Sequence, residues 1–483
     1  MDTRQFYGRK EHDRAVRVIP SDSEDSELEE SENGDSEVEE SHEDWIPESG
    51  LRDSLEVRGQ LGVSHYAIQC DANKPLNLTI KELEQFLGIV VYMSLFGLPG
   101  TRMFWNKACR VSQVADTMTL NRWEAIKKHL HFNNNEERQE DNNDPLHKIR
   151  PLVTHLTSKL TSIPMSEKLA VDEQMVPFKG RNRLKQYLPS KPKKWGYKIL
   201  VLAGSDGVPY NLEIYTGRVV QPPELADVGA SGNVVLCLAQ PIPKQKNYKV
   251  FFDNWFMSVP LVLTLAQQGI HCTGTVRGNR LPGVNLMCDA ELKRAGRGSF
   301  EQKMAMVRET TLYAVKWYDN RSVTLLSDYT GAHPVTEVDR WDRKQKMITK
   351  VPCPAVVKEY NKNMGGVDLL DSLLALYRIK IRSKKWYHRL VFHLLDMIIV
   401  TTWLLYRRDC EGTGMRKNEH MKLYTFKSYI AERKKAHWMI MAEKKGRCKV
   451  PGCTGTPKAK CRKCDVHLCF TSTSNCFLRF HTE

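Results

Sequence analysis

Four aspartates in three separated segments are the residues of this sequence whose type and setting could do chemistry. Asp172 ends the run Leu169-Ala-Val-Asp172, and Asp253 ends Val250-Phe-Phe-Asp253. Each places an acid where an apolar strand meets polar residues, at a sheet edge where side chains from distant segments converge. Gly365-Gly-Val-Asp368-Leu-Leu-Asp371 adds two more acids, three apart on one face of an opening helix. Carboxylates that meet in this way suit hard divalent cations. Mg²⁺ (or Mn²⁺) takes oxygen ligands, and two ions about 4 Å apart clamp the attacking and leaving oxygens of a phosphodiester. The chemistry expected is phosphoryl transfer on nucleic acid. The plain alternative is that Asp253 or Asp368 merely caps a helix, since Asp is among the preferred N-cap residues.

A second constellation closes the chain. Cys448, Cys453, Cys461, Cys464, His467, Cys469, Cys476 and His481 place eight soft or borderline ligands within 34 residues. Zinc takes four such ligands tetrahedrally, so eight make two closed structural sites, without which so short a segment could hardly fold. Interleaved pairing predicts Cys448, Cys453, His467 and Cys469 on one Zn²⁺ and Cys461, Cys464, Cys476 and His481 on the other. Thirteen cysteines, six of them in the last 36 residues and seven scattered singly, argue against a disulfide framework.

The elements that must position these groups follow from hydrophobic periodicity. Leu78, Ile80, Leu83, Phe86, Leu87, Val90, Val91 and Met93 recur at threes and fours, and Trp123 to Leu130 repeats the pattern, so residues 45–167 read as α-rich. From Lys168 short apolar runs end in polar punctuation. Lys168–Asp172, Tyr197–Leu202, Asn233–Cys237 and Tyr248–Asp253 read as strands of a mixed sheet. Helix is expected over Pro260–Gln268, a strand through Thr275 and Val276, a less regular stretch from about Asn279 to Val351, and long helices over Asp368–Leu376 and Lys384–Arg407. The run Leu390–Leu405, about 16 residues and broken by His393 and Asp396, is too short to span a bilayer and predicts a buried helix.

Charge narrows the partner. The 483 residues carry a formal +15; residues 1–44 hold 5 Lys/Arg and 16 Asp/Glu, a net of −11, which leaves +26 on residues 45–483. A basic body with an acidic tail suits a polyanion. Ser21–Asp44, with 13 acids and no Lys or Arg, cannot bury enough apolar surface to fold. It reads as a disordered tail, either solvating or competing with nucleic acid for the basic surface. Residues 179–198 carry Lys179, Arg181, Arg183, Lys185, Lys191, Lys193, Lys194 and Lys198, interleaved with Tyr187, Trp195 and Tyr197. Beside Asp172, such a stretch would hold a DNA backbone and offset repulsion between phosphates and acids, although a solvated turn has the same composition. Arg378–Arg389, including Arg382 and Lys385, is a further basic stretch. No apolar leader follows Met1, so an intracellular chain is expected, and Lys434-Lys435 and Lys444–Lys449 read as a nuclear localisation signal or as phosphate contacts.

These blocks together resemble the piggyBac-like DDE transposases. Val171–Gln174 with Phe178–Arg181 and Pro189–Lys198 is similar to the family's first catalytic block, Phe252–Phe256 to the second, Thr273–Arg280 to the strand after it, and Tyr360–Asp371 to the third. Leu130–Asn133 and Asp144–Pro151 also match, and the likeness runs in the family's order from about Trp45 to the C-terminus. One departure, Thr401-Thr-Trp403 where an Asn is expected before the aromatic, falls in a packing helix.

The resemblance implies an α/β fold: an RNase H-like catalytic domain (168–279 and 355–377) with an inserted subdomain (280–354). Around it would lie a split α-helical dimerisation and DNA-binding domain (45–167 and 378–445), followed by a cross-brace zinc domain (446–483) that binds the element's terminal repeats. It implies Asp172, Asp253 and Asp368 as metal-binding catalytic acids with Asp371 as a fourth participant, and Arg277 and Arg280 facing target DNA. Activated water would nick double-stranded DNA at the terminal inverted repeats, and the freed 3′-hydroxyl would attack first the opposite strand and later a TTAA target. The expected assembly is a nuclear homodimer with no membrane partner. The other reading is a host-retained DNA-binding protein that keeps the fold without transposition.

Overall fold

The computed structural model describes residues 63–476 apart from 65, 72, 136–143, 190, 220, 344, 434–438, 442–443, 458, 462–465 and 472–473. The acidic tail, Lys434-Lys435, Cys464 and His481 lie outside the described residues, as does the side chain of Cys461. In chain order the main helices are α1 (Ile80–Met93), α2 (Leu120–His129), α3 (Arg150–Thr161), α4 (Ala230–Ala239), α5 (Val259–Gln267), α6 (Asp289–Ala295), α7 (Ala355–Asn363), α8 (Gly366–Leu376), α9 (Trp386–Gly412) and α10 (Leu423–Arg433). The strands are β1 (Lys168–Pro177), β2 (Gln186–Tyr187), β3 (Trp195–Gly204), β4 (Pro209–Ile214), β5 (Tyr248–Phe252), β6 (Ile270–Thr275), β7 (Phe300–Val307), β8 (Thr310–Tyr318), β9 (Ser322–Ser327), β10 (Thr336–Asp342) and β11 (Met347–Cys353), followed by short strands after Arg433. The fold is mixed α/β. It divides into two compact bodies, one within residues 56–187, 195–243 and 364–483, the other within 188–194 and 244–363.

In the first body the expected α-rich segment is helical. Thr79 and Glu82 form a capping box that opens α1, whose Phe86, Ile89 and Val90 are buried. Arg122 of α2 clamps the Glu82 carboxylate through Nε at 2.8 Å and Nη2 at 2.9 Å, so two helices share one cap residue. Strand β3 is the centre of this body's sheet, antiparallel to β1 on one side and to β2 and β4 on the other. Buried along nearly its whole length, it reads as a continuous apolar run. Helix α8 packs on β1 and β3, and α9 packs on β1 and α8. By length and composition α9 could cross a membrane, but 67% of its most apolar window is buried inside the protein.

In the second body β5 and β6 run parallel around α5, and β9, β8 and β7 continue the sheet antiparallel. Strands β10 and β11 form a separate two-stranded ribbon.

Two expectations change. Asn233–Cys237 is not a strand but lies in α4, because a run of five mostly apolar residues is too short for its period to separate strand from helix. Asn233 itself helps start that helix: its Oδ1 accepts from Val228 N and its Nδ2 donates to Asp227 Oδ1. The stretch 279–351, expected to be irregular, holds five strands whose many exposed positions break up any apolar pattern.

Candidate active site and metal centre

The first body holds three of the four predicted acids. Asp172 sits opposite Val201 in the β1/β3 ladder, and β1 continues five residues beyond it to Pro177, so Asp172 lies mid-strand rather than at the strand end that the sequence suggested. Along the strand the buried polar Gln174 finds a partner for its oxygen, His393 Nε2 of α9 meeting Gln174 Oε1 at 2.7 Å, while its Nε2 has none among the described residues. Asp172, two residues away, shares that strand face. Its Oδ1 accepts from Glu173 N at 2.8 Å.

Asp368 stands in the first turn of α8, and Asp371 lies one turn on. The N-cap is Gly365, which makes no side-chain cap bond, so Asp368 is exposed and is not a cap. The sequence did not reveal how tightly this helix is seated. A Cβ on Gly366 would lie 2.1 Å from the carbonyl oxygen of Gly204 at the end of β3, and one on Gly207 (φ +89°) in the following turn would lie 3.3 Å from Leu369. Only glycine at 366 lets the helix carrying Asp368 and Asp371 come this close to the sheet that carries Asp172.

In the second body Asp253 follows β5 directly, as expected. Its Oδ1 accepts from Trp255 N at 2.8 Å, forming an Asx turn. Helix α5 begins later and is capped by Ser258, which removes the cap reading for Asp253. Arg280 Nη1 donates to the carbonyls of Asn254, Trp255 and Met257 at 3.2, 2.9 and 2.8 Å. This guanidinium braces the turn behind Asp253, while exposed Arg277 reaches Asn254 Oδ1 through Nε.

The basic stretches divide by burial. Lys179, Arg181, Arg183 and Lys194 are exposed, Lys191 is half-buried, and Lys198 is buried near Glu173 and the Tyr215 ring. Trp195 is half exposed beside Tyr187, with Lys185 Nζ 4.7 Å from its ring centroid, a cation and a π face presented together. Arg183, Lys148 and Trp386 line a cavity of about 400 Å³. Arg382 is exposed, but Lys385 turns inward to the Lys128 carbonyl and the Tyr66 ring, and burial lowers its pKa. Sequence reasoning also missed the ion pair of Asp396 (α9) with Lys427 (α10), 2.9 Å apart with both side chains 2% exposed. Lys427 also donates to Tyr377 O, and Asp396 Oδ2 accepts from Ile379 N at 2.8 Å, which ties the chain leaving α8 to both helices. An Asp inside an apolar run was the available signal.

At the C-terminus Cys448, Cys453, Cys469 and Cys476 bring all four sulfurs within 4.8 Å of one another. Cys453 lies 3.7 Å from Cys469 and 3.6 Å from Cys476. A tetrahedron with zinc–sulfur bonds of about 2.3 Å has edges of ~3.8 Å, so the donor set fits that ion. Gly455 N–H and the neighbouring sulfurs draw the Cys453 thiol down to about 7. The expected pairing is therefore corrected: Cys476 takes the place given to His467, whose Nδ1 instead meets Pro457 O at 3.0 Å. The cause is the antiparallel pairing of Phe470 with Asn475 and of Thr471 with Ser474, which brings Cys476 back beside Cys469.

Residues 57–403 match the family model described as Transposase IS4. PiggyBac transposable element-derived protein 2 of Homo sapiens is 32% identical over 374 residues, 76% of this chain and 61% of its own length. PiggyBac transposable element-derived protein 3 of Homo sapiens is 29% identical over 439 residues, 86% of this chain and 72% of its own. Among solved structures, the cryo-EM structure of a piggyBac transposase synaptic complex with hairpin DNA superposes with a TM-score of 0.64 at 19% identity, covering 79% of this chain and 77% of that one, a likeness of fold. With most of its length matched by the family model, the chain belongs to the piggyBac-like transposase family.

Proposed function

We propose that this chain is a cut-and-paste DNA transposase that excises an element by strand nicking and joins it to a TTAA target. The observation that carries the reading is the seat of α8, where Gly366 against Gly204 O fixes the Asp368–Asp371 helix on the sheet bearing Asp172. In this reading Asp172, Asp253, Asp368 and Asp371 are the metal-binding catalytic acids of an RNase H-like domain. Bound Mg²⁺ or Mn²⁺, two ions in the two-metal scheme, supplies Lewis acidity and charge neutralisation at the scissile phosphate. Oxygen donors on strand and helix suit such ions. The Asx turn and Arg280 hold Asp253 in place. Exposed Lys179, Arg181, Arg183, Lys194, Arg277 and Arg382 bind DNA phosphates, with Trp195 stacking on a sugar or base. Cys448, Cys453, Cys469 and Cys476 hold one structural Zn²⁺, and Cys461, Cys464, His467 and His481 are left to hold a second. The active form is a nuclear homodimer, with helical regions 45–167 and 378–445 around the catalytic domain and residues 280–354 inserted in it.

The second reading is a host-retained DNA-binding protein without transposition. The names of the human relatives, which call them transposable element-derived, favour it. Excision of a marked element from a plasmid bearing this chain's own flanking repeats separates the two. Excision by the wild type and its loss in Asp253→Ala support the transposase, and no excision by the wild type on verified ends refutes it.

A further inference from the structure

The ribbon β10–β11 has an anchored base and a bare tip. At the base Trp317 Nε1 donates to Pro352 O at 2.9 Å, Val351 and Cys353 are buried, and Arg340 joins Arg297 on Asp319. One register pair before the tip, Trp341 faces Ile348 across the strands, and the two are 59% and 61% exposed. Met347, in the last pair, is 52% exposed. An exposed cross-strand Trp–Ile pair is the kind of edge that proteins ordinarily cover or blunt with charge.

Charge along the ribbon points to what covers it. The acids Glu337 and Asp339 lie toward the base, where Lys350 pairs with Glu337 at 3.6 Å, and a third, Asp342, sits in the last pair with its Oδ1 accepting from Gln345 N of the turn. The turn carries exposed Arg343 and Lys346, with Lys344 between them in sequence. A narrow arm with an apolar wedge flanked by tip cations has the two chemistries that minor-groove binding needs: cations for the phosphates on either side, and a wedge between base steps. A purely apolar partner would use the wedge and leave the tip cations without a match.

We propose that the β10–β11 ribbon inserts Trp341 and Ile348 into the minor groove of duplex DNA, locally unstacking and bending it, while Arg343 and Lys346 hold the flanking phosphates. The proposal rests on the reading of DNA as the substrate. The test uses the full chain and a 40-base-pair duplex with 2-aminopurine tiled across it and fluorophores at both ends. Wild type should raise 2-aminopurine fluorescence at a defined step and increase end-to-end energy transfer. Trp341→Ala and Ile348→Thr should abolish both signals and weaken binding about 10-fold, with melting temperature unchanged because the tip is solvent-exposed. Arg343→Ala with Lys346→Ala should reduce the slope of log affinity against log salt by about two, one per phosphate contact. Wild-type binding with both wedge variants unaltered overturns the ribbon assignment alone. So does a wedge variant that dissociates a dimer while DNA bending persists, which makes the tip a contact between copies. Failure of the wild type to bind any duplex overturns the DNA reading itself.

Discussion

Replacing Gly366 with alanine tests how finely α8 is placed. The added Cβ would stand 2.1 Å from Gly204 O and 3.0 Å from Gly204 C, and the obstacle is backbone inside a ladder, with no side chain to swing away. Restoring ordinary contact requires the N-terminus of α8 to retreat by about 1 Å, and overpacking of this kind costs about 1–3 kcal/mol. The activity cost should be larger than the stability cost suggests, because Asp368 sits two residues from the pivot and a misplacement of about 1 Å is enough for a loss of about 100-fold. The assay is divalent-metal-dependent nicking of a plasmid carrying the element ends, run well below the melting temperature. Val367→Ala is the control, since it empties a buried position in the same turn without pushing the helix outward. Gly366→Ala should lose about two orders of magnitude while Val367→Ala, similarly destabilised, stays within a few-fold of wild type. Wild-type nicking by Gly366→Ala, or equal impairment of both variants, would refute the argument.

Two further outcomes follow from buried groups. Burial holds His131 and His388 near about 4 and His393 near about 3, below the ordinary imidazole value, so the unfolded chain takes up protons first. Their contribution, on the order of 3 kcal/mol each, is complete above pH ~6.5 and is lost as pH falls toward about 4; melting temperature should drop steeply over that window, and a flat profile between pH 7 and 5 would contradict it. Elemental analysis should find about two Zn²⁺ per chain, and Cys476→Ser should remove one while leaving the other, whereas an unchanged zinc count would place Cys476 outside both sites.

The candidate residues stood out in the sequence because acids bounded by apolar runs, and eight possible metal ligands in 34 residues, are uncommon combinations. What remained hidden depends on tertiary contact. Asp172 looked like a strand end because Glu173 and Gln174 are polar, and the partner of the buried Gln174 oxygen, His393, lies more than 200 residues away. Arg280 and Lys385 read as surface cations, since sequence cannot tell an arginine that reaches phosphates from one that gathers three carbonyls. Cys476 was paired by spacing, but the antiparallel pairing of Phe470 with Asn475 sends it to the nearer set. Asn233–Cys237 went to the wrong element type because so short an apolar run shows no period of its own.

The Asp396–Lys427 pair also constrains how this chain can drift. Removing either partner strands a desolvated charge at a cost of about 3–5 kcal/mol, whereas exchanging both for well-packed apolar residues of similar volume can be nearly neutral. Sequence space around this junction therefore has two habitable regions separated by a barrier that single substitutions must climb. Copies descending from this sequence should keep both charges or lose both. A lineage that has lost one of them should carry a compensating change near Ile379 or Tyr377, whose backbone groups the pair holds.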